Sequence, residues 1–275
     1  MLLETEVDGI RYRVHHNTYF HLAIPMQFNG PQPNSYDVPA ATASTFETGD
    51  FVGDTRRGGS CNFESYQLIP HCNGTHTECA GHLSDERLSV HELLNDMLIP
   101  ATLISVHPEE AGTCNDTYAP DKQPGDMLIT KASLETALEQ IPSAWTQALI
   151  IRTLPNDTGK QRRRYMQSPP PFFSLEAMQY IRSSEVKHLL VDFPSLDRTF
   201  DEGRLSTHRI FWDMKNEGHD RPPEHALTRT VTEMIYAGDE IPDGRYILNL
   251  QTAPFVADAA PSRPVLFPVT LGTLR

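Results

Sequence analysis

Short, continuous apolar runs alternate with amphipathic stretches through the middle of the chain. Residues 101–106 (ATLISV), 148–153 (ALIIRT) and 188–193 (HLLVDF) are each apolar on both parities, as strands buried in a covered sheet are. Between them, 132–140 (ASLETALEQ) reads as a helix ended near Pro142. Residues 174–183 (SLEAMQYIRS) read as a second helix with Ser174 as its N-cap. Upstream, 84–96 (SDERLSVHELLND) opens on Ser84 and carries an apolar stripe of Leu88, Val90, Leu93 and Leu94, which predicts a third helix. The C-terminal part returns to strands at 230–236, at 246–251 after the Asp243-Gly244 turn, and at 265–270. Strands alternating with helices between strand-rich ends predict an α/β fold with a mixed β-sheet core flanked by helices. Loops 27–40, 154–172 and 213–229 are long, and long ordered loops tend to build sites.

Composition narrows the class. With 275 residues, 39% apolar and 21% charged, the chain suits a soluble globular protein, and we expect one domain over 1–275. No apolar run is long enough for a membrane span. The first residues carry acids and no apolar signal core, and Cys61, Cys72, Cys79 and Cys114 suggest no disulfide framework; reduced thiols in a cytoplasm are expected. A net charge of −13 argues against a nucleic-acid partner. The basic run 160–164 (KQRRR) reads as a solvated loop, although over a pocket it would attract a carboxylate-bearing substrate.

Candidate chemistry is concentrated in 70–83 (PHCNGTHTECAGHL), where three histidines, two cysteines and a glutamate crowd together. Such a mixture of borderline and hard donors suits a divalent metal. In an extended segment Cys72, His76, Glu78 and His82 share one face, whereas His71 points away unless a bulge intervenes. Gly74 marks a place where the backbone bends or approaches closely. Thr75 and Thr77 are candidates to orient a ligand, or ordinary strand residues. Further ligands are sought past the third strand, where Ser195, Asp197 and His208 lie. Glu233 sits in an apolar run, VTEMIY, and a buried carboxylate there needs a cation or hydrogen-bond donors: a metal is one answer, Arg229 or Arg245 another. His219 and His225 lie in a polar insertion and are expected to be solvated. Phe20, Tyr36, Phe172, Phe173 and Trp212 are candidate pocket walls or plain core.

The core Asn-Gly-Thr-His-Thr-Glu followed by His82 resembles the HxGTHxDxPxH motif of the cyclase family, which includes bacterial kynurenine formamidases and isatin hydrolases. Later segments resemble the family in order: PGD and ITKASLETAL, IIRT, FFSLEAM before VDFPSLD, and a final TEMI with IPDGRYILNLQ, so the likeness spans roughly 18–270. The resemblance implies a swivelling β/β/α-type fold, a site for one or two divalent ions such as zinc or manganese, and a homodimer or homotetramer. It implies His76 and Glu78 as metal ligands, His82 as catalytic acid/base, and His208 and Glu233 as late ligands. The family's first histidine falls on Cys72, so either Cys72 ligates as a thiolate, a bulge swings His71 in, or this ligand is lost and one ion binds. Glu78 replaces an aspartate and Ala80 a proline.

The activity implied is arylformamidase-like, metal-assisted hydrolysis of an amide, formamide or cyclic amide/lactone bond of a small molecule. Two alternatives stand beside it: a metal-dependent lyase or cyclase with the same ligands, and a non-catalytic metal- or small-ligand-binding module.

Overall fold

A computed structural model describes residues 2–215 and 217–272. Its centre is an eleven-stranded mixed sheet. Ile99–Val106, Ala148–Thr153, His188–Val191 and Thr230–Glu233 run parallel and adjacent, in chain order. Beyond the last of these, His76–Cys79 pairs antiparallel, followed by Ala259–Pro261. On the opposite side Gly244–Asn249, Val265–Leu271, Ile10–Val14 and Leu3–Val7 extend the sheet by antiparallel pairing, and Phe20–His21 joins Val265–Leu271.

Both faces of the parallel strands are covered, which is why their apolar runs are continuous. Leu149, Ile151, Leu189, Val191 and Val231 pack beneath Leu134 and Leu138 of the helix Lys131–Leu138, and beneath Ala177, Met178 and Ile181 of the helix Leu175–Ser183. Ala148, Ile150 and Leu190 face the other way, onto Leu22, Ile235, Ile241 and Leu248. Ser174 caps the second helix as expected, its hydroxyl accepting from the amide of Ala177 at 3.0 Å. Among the described residues no helix is long and apolar enough to cross a membrane.

Two local expectations fail for a shared reason. Residues 84–96 form only the single turn Val90–Leu93. The stretch ahead of it is irregular and tied to a C-terminal loop: Arg87 donates to Val256 O, Ser89 Oγ to Phe255 O, and Val90 N to Ala257 O. Tertiary hydrogen bonds there displace the local helical preference. The donor segment is likewise not one extended strand. Pro70–Asn73 is a helical turn, His76–Cys79 alone is strand, and Ala80–His82 is a turn of 3-10 helix. A Cβ on Gly81 would lie 2.5 Å from the carbonyl oxygen of Leu88, so only glycine lets these segments approach.

The basic run is not a solvated loop throughout. Lys160 is buried and ion-paired with Asp192 at 2.7 Å, while Arg163 pairs with Asp157 and Arg164 with Asp37. Loop 27–40 is ordered by the buried side chain of Gln32, which bonds the backbone of Gln27, Gly30 and Ala41.

Candidate metal centre

The sheet register sets the first two donors. His76 lies directly opposite Glu233, and Glu78 opposite Val231. Directly opposed antiparallel residues share a face, so His76, Glu78 and Glu233 project together at the sheet end. The strand carrying Glu233 stops there because Met234 adopts a left-handed φ of 52°. Thr75 fastens the junction: its hydroxyl donates to Met234 O at 2.5 Å and accepts from Ile24 N at 2.9 Å. Thr77 instead bonds Thr232 across the strands at 2.8 Å.

His208 arrives from the helix Ser206–Phe211 and is held by Asp197. Asp197 Oδ2 meets His208 Nδ1 at 2.7 Å and the His208 amide at 3.2 Å, while Oδ1 accepts from Thr207 N and from the Tyr118 hydroxyl, both at 2.8 Å. Asp197 is thus no member of the donor cluster; it orients one. Ser195 in turn accepts from the amide of Asp197 at 3.2 Å. His76 Nδ1 is occupied in the same manner by Gly74 O at 3.0 Å. With Nδ1 donating in each ring, both Nε2 atoms turn inward as lone-pair donors.

There they meet carboxylates without bonding them. His76 Nε2 is 3.3 Å from Glu233 Oε2; His208 Nε2 is 3.3 Å from Glu78 Oε1 and 3.4 Å from Glu233 Oε1. Yet His76 Nε2, His208 Nε2 and Glu78 Oε1 are buried atoms with no hydrogen-bond partner among the described residues. These close contacts miss hydrogen-bond geometry, so none of the three atoms is satisfied by its neighbours. Buried polar atoms left so call for a partner.

Glu78 also faces a second group. Its Oε2 lies 3.4 Å from His71 Nε2 and 3.7 Å from His82 Nδ1. His71, Glu78 and His82 form one set close enough to hold an ion, and His76, Glu78 and Glu233 another, with Glu78 common to both. The helical turn at Pro70–Asn73 is what brings His71 in. Cys72 belongs to neither set; burial and the charge of Glu233 push its thiol up to about 11. Of the four imidazoles, His76 and His208 are sealed, whereas the side chains of His71 and His82 are 27% and 29% exposed and open the cluster to solvent.

Electrostatics match a cation. Burial works against a charged Glu78, but His82, His208 and His71 hold its carboxyl down at about 2. Glu78 raises His82, which burial opposes and Asp258 reinforces. Burial opposes a charged His208, yet Asp197, Glu233 and Glu78 raise it well above the ordinary range. Imidazoles driven to take protons mark a place that wants positive charge, and a divalent ion supplies it instead. The donors are imidazole nitrogen and carboxylate oxygen, a set that fits zinc or manganese.

One member was not legible in the sequence. Asp258 places Oδ2 3.0 Å from His71 Nε2 and 3.5 Å from His82 Nδ1. It sits in an irregular loop with no motif around it; its nearest signal was an acid just ahead of a short apolar run.

The other candidates fall outside. His219 and His225 are exposed, against Leu83 O and Asp213. Phe173 and Trp212 are core, with the Trp212 ring 5.4 Å from that of His208 and tilted by 31°, and Phe20 is packed against the second core cluster. Tyr36 stays half-exposed, its hydroxyl pushed up to about 12 by burial and then by Glu233 and Asp201. A separate cavity of ≈ 290 Å³ lies between Tyr165, Met166, Phe172, Arg198 and Phe200.

Several solved structures share this fold. A predicted metal-dependent hydrolase from Bacillus stearothermophilus superposes with a TM-score of 0.59 at 17% identity, covering 91% of this chain and 98% of that one. An isatin hydrolase bound to the product analogue thioisatinate gives 0.61 at 13%, covering 92% of each chain. Isatin hydrolase A from Labrenzia aggregata, bound to benzyl benzoate, gives 0.59 at 12%, covering 91% and 93%. At such identities the likeness is one of fold. No curated protein matches the sequence. The Cyclase family model matches residues 16–198, and the chain, with its mixed sheet and its His/Glu cluster at the sheet end, belongs to the cyclase family.

Proposed function

We propose that this chain is a metal-dependent hydrolase that cleaves an amide, formamide or cyclic amide/lactone bond of a small molecule, in the manner of an arylformamidase. The observation that carries the reading is the convergence of unpaired buried imidazole nitrogens on two carboxylates: His76 Nε2 on Glu233, His208 Nε2 on Glu78 and Glu233, and His71 Nε2 on Glu78, whose Oε1 is itself unpaired. In this reading His76, His208, Glu78 and Glu233 hold an inner zinc or manganese ion, and His71 with Glu78 serves an outer position. Cys72 stays a protonated thiol outside both. A divalent ion so held lowers the pKa of water toward neutrality and polarises a carbonyl.

The remaining work belongs to the side chains. Gly74 O and Asp197 keep His76 and His208 in the tautomer whose Nε2 is a donor. His82, on the solvent side, takes the proton from the attacking water as the new C–O bond forms. It returns that proton to the leaving nitrogen or oxygen as the scissile bond breaks; imidazole both accepts and donates a proton, and the charge of Glu78 favours the protonated form that the second transfer needs. The loop 27–40 is tied to the donor segment by Ser35 N, which donates to Cys72 O at 3.1 Å, so the adjacent Tyr36 is the aromatic on this loop that can contact a bound aryl group.

The test is hydrolysis of N-formyl-arylamine, lactam and lactone substrates by protein carrying stoichiometric zinc or manganese. Turnover abolished by chelation, restored by the ion and lowered about 10²–10⁴-fold in His82→Ala is expected. Tightly bound metal with no hydrolysis of any of the three classes would instead indicate a binding module or a lyase.

A further inference from the structure

We propose that Asp258 is a positioning residue for His82: the two form a carboxylate–imidazole pair in which Asp258 accepts from Nδ1–H and leaves Nε2 free to exchange the reaction's proton. The proposal rests on the hydrolase reading above.

Asp258 is fixed relative to His82 by backbone on both sides. Cys79 N donates to Asp258 O at 2.9 Å and Val90 N to Ala257 O at 2.9 Å; Arg87 Nη2 donates to Val256 O at 2.8 Å and Ser89 Oγ to Phe255 O at 3.0 Å. The segment 255–258 is therefore stitched residue by residue to the stretch 79–90 that carries His82. Immediately after Asp258, Ala259–Pro261 joins the sheet with Ala259 opposite Glu78. This arrangement explains why 84–89 is irregular rather than helical: the side chains of Arg87 and Ser89 are engaged in holding that loop.

Two imidazoles face Asp258 Oδ2. His71 Nε2 is the nearer, 3.0 Å from Asp258 Oδ2 and 3.4 Å from Glu78 Oε2, and bonds neither; in the hydrolase reading that nitrogen serves the outer ion. For His82 Nδ1 the nearer of the two carboxylates is Asp258, with Oδ2 at 3.5 Å against 3.7 Å for Glu78 Oε2, and neither contact is yet a hydrogen bond. Hydrogen bonds of catalytic groups are commonly long before substrate binds and tighten in the complex. The His82 ring stacks on His71 at 4.6 Å and 27°, which confines it to sliding in its own plane. A neutral imidazole carries its proton on one nitrogen only, so a carboxylate accepting at Nδ1 selects the tautomer with the lone pair at Nε2. Once Nε2 has taken a proton, the imidazolium lies against Asp258 and Glu78, and the charge is met where it forms.

The experiment uses zinc-loaded protein and two readouts. Long-range proton–nitrogen NMR correlations of the histidine rings should show His82 protonated at Nδ1 in the wild type and shared between both nitrogens in Asp258→Ala. In steady-state kinetics Asp258→Ala should lower kcat about 10²–10⁴-fold with KM unchanged. Zinc content per chain should not change, and Asp258→Asn, whose amide oxygen still accepts from Nδ1, should recover part of the rate. In a His82→Ala background, Asp258→Ala should lower kcat no further, because a residue acting through another loses its effect with it. Additive losses in the double variant, release of zinc by Asp258→Ala, or an unaltered His82 tautomer would each overturn the proposal. If zinc-loaded wild type hydrolyses nothing, the hydrolase reading fails, and the tautomer measurement still decides whether Asp258 and His82 are paired.

Discussion

Replacing Asp197 by asparagine should separate the holding of the ion from the integrity of the fold. Asp197 accepts four hydrogen bonds: two at Oδ1 from Thr207 N and the Tyr118 hydroxyl, two at Oδ2 from the amide and Nδ1 of His208. An amide keeps one acceptor oxygen and presents N–H groups in place of the other. If the amide nitrogen turns toward Thr207, a buried N–H is left without an acceptor, a loss of about 1–3 kcal/mol in unfolding free energy. If it turns toward His208, it confronts Nδ1–H, and the ring proton must move to Nε2. That nitrogen would then aim a proton, not a lone pair, at Glu78 and Glu233. Loss of such an outer partner of a metal-binding histidine weakens affinity about 10–100-fold, or about 1.4–2.8 kcal/mol at 1.4 per tenfold. Chelator competition with zinc at neutral pH measures this, alongside urea unfolding of the metal-free protein. Zinc affinity equal to wild type, with His208→Ala strongly weakened, would refute the orienting role.

Other positions offer independent checks. His71→Ala should remove bound metal from the outer position, whereas Cys72→Ala should leave metal content intact; plasma emission spectrometry on the two variants decides, and the reverse pattern would restore the thiolate. Lys160→Met strands a fully buried Asp192 and should destabilise by about 3–5 kcal/mol. Adding Asp192→Asn should recover much of this in urea melts, and a single-variant loss below about 1 kcal/mol, the ceiling for most exposed pairs, would show the pair to be solvated. Burial lowers the His188 pKa, although its Asp96 partner opposes this, so protonation favours the unfolded chain. That contribution is whole above about pH 6.5 and declines as the pH falls through and below it toward the lower folded value. His188→Gln should therefore flatten the acid side of the stability–pH curve measured with chelator present; parallel curves for the two proteins would count against it.

The parallel strands were readable because burial on both faces leaves an uninterrupted apolar run, as in 148–153. Glu233 was readable for the opposite reason: one carboxylate inside such a run demands a cation. What escaped depends on partners distant in the chain. The stripe at 84–96 satisfies a helical period, but bonds from Arg87, Ser89 and Val90 to 255–257 keep all but one turn of it irregular. Lys160 looked solvated beside three arginines until Asp192 closed over it. Side-chain parity correctly paired His76 with Glu78, whose strand is real, and failed at His71, where Pro70 opens a helical turn. Asp258 had no local signature, since its position is imposed by the loop and strand around it.

The central claim is that the His76, Glu78, His208 and Glu233 side chains hold an ion. An anomalous difference map from crystals of protein grown with zinc tests it most directly. The account predicts a peak within about 2.0–2.2 Å of His76 Nε2, His208 Nε2 and an oxygen of Glu78 or Glu233. A map with no peak among these atoms, or with zinc seated only on Cys72, would contradict it.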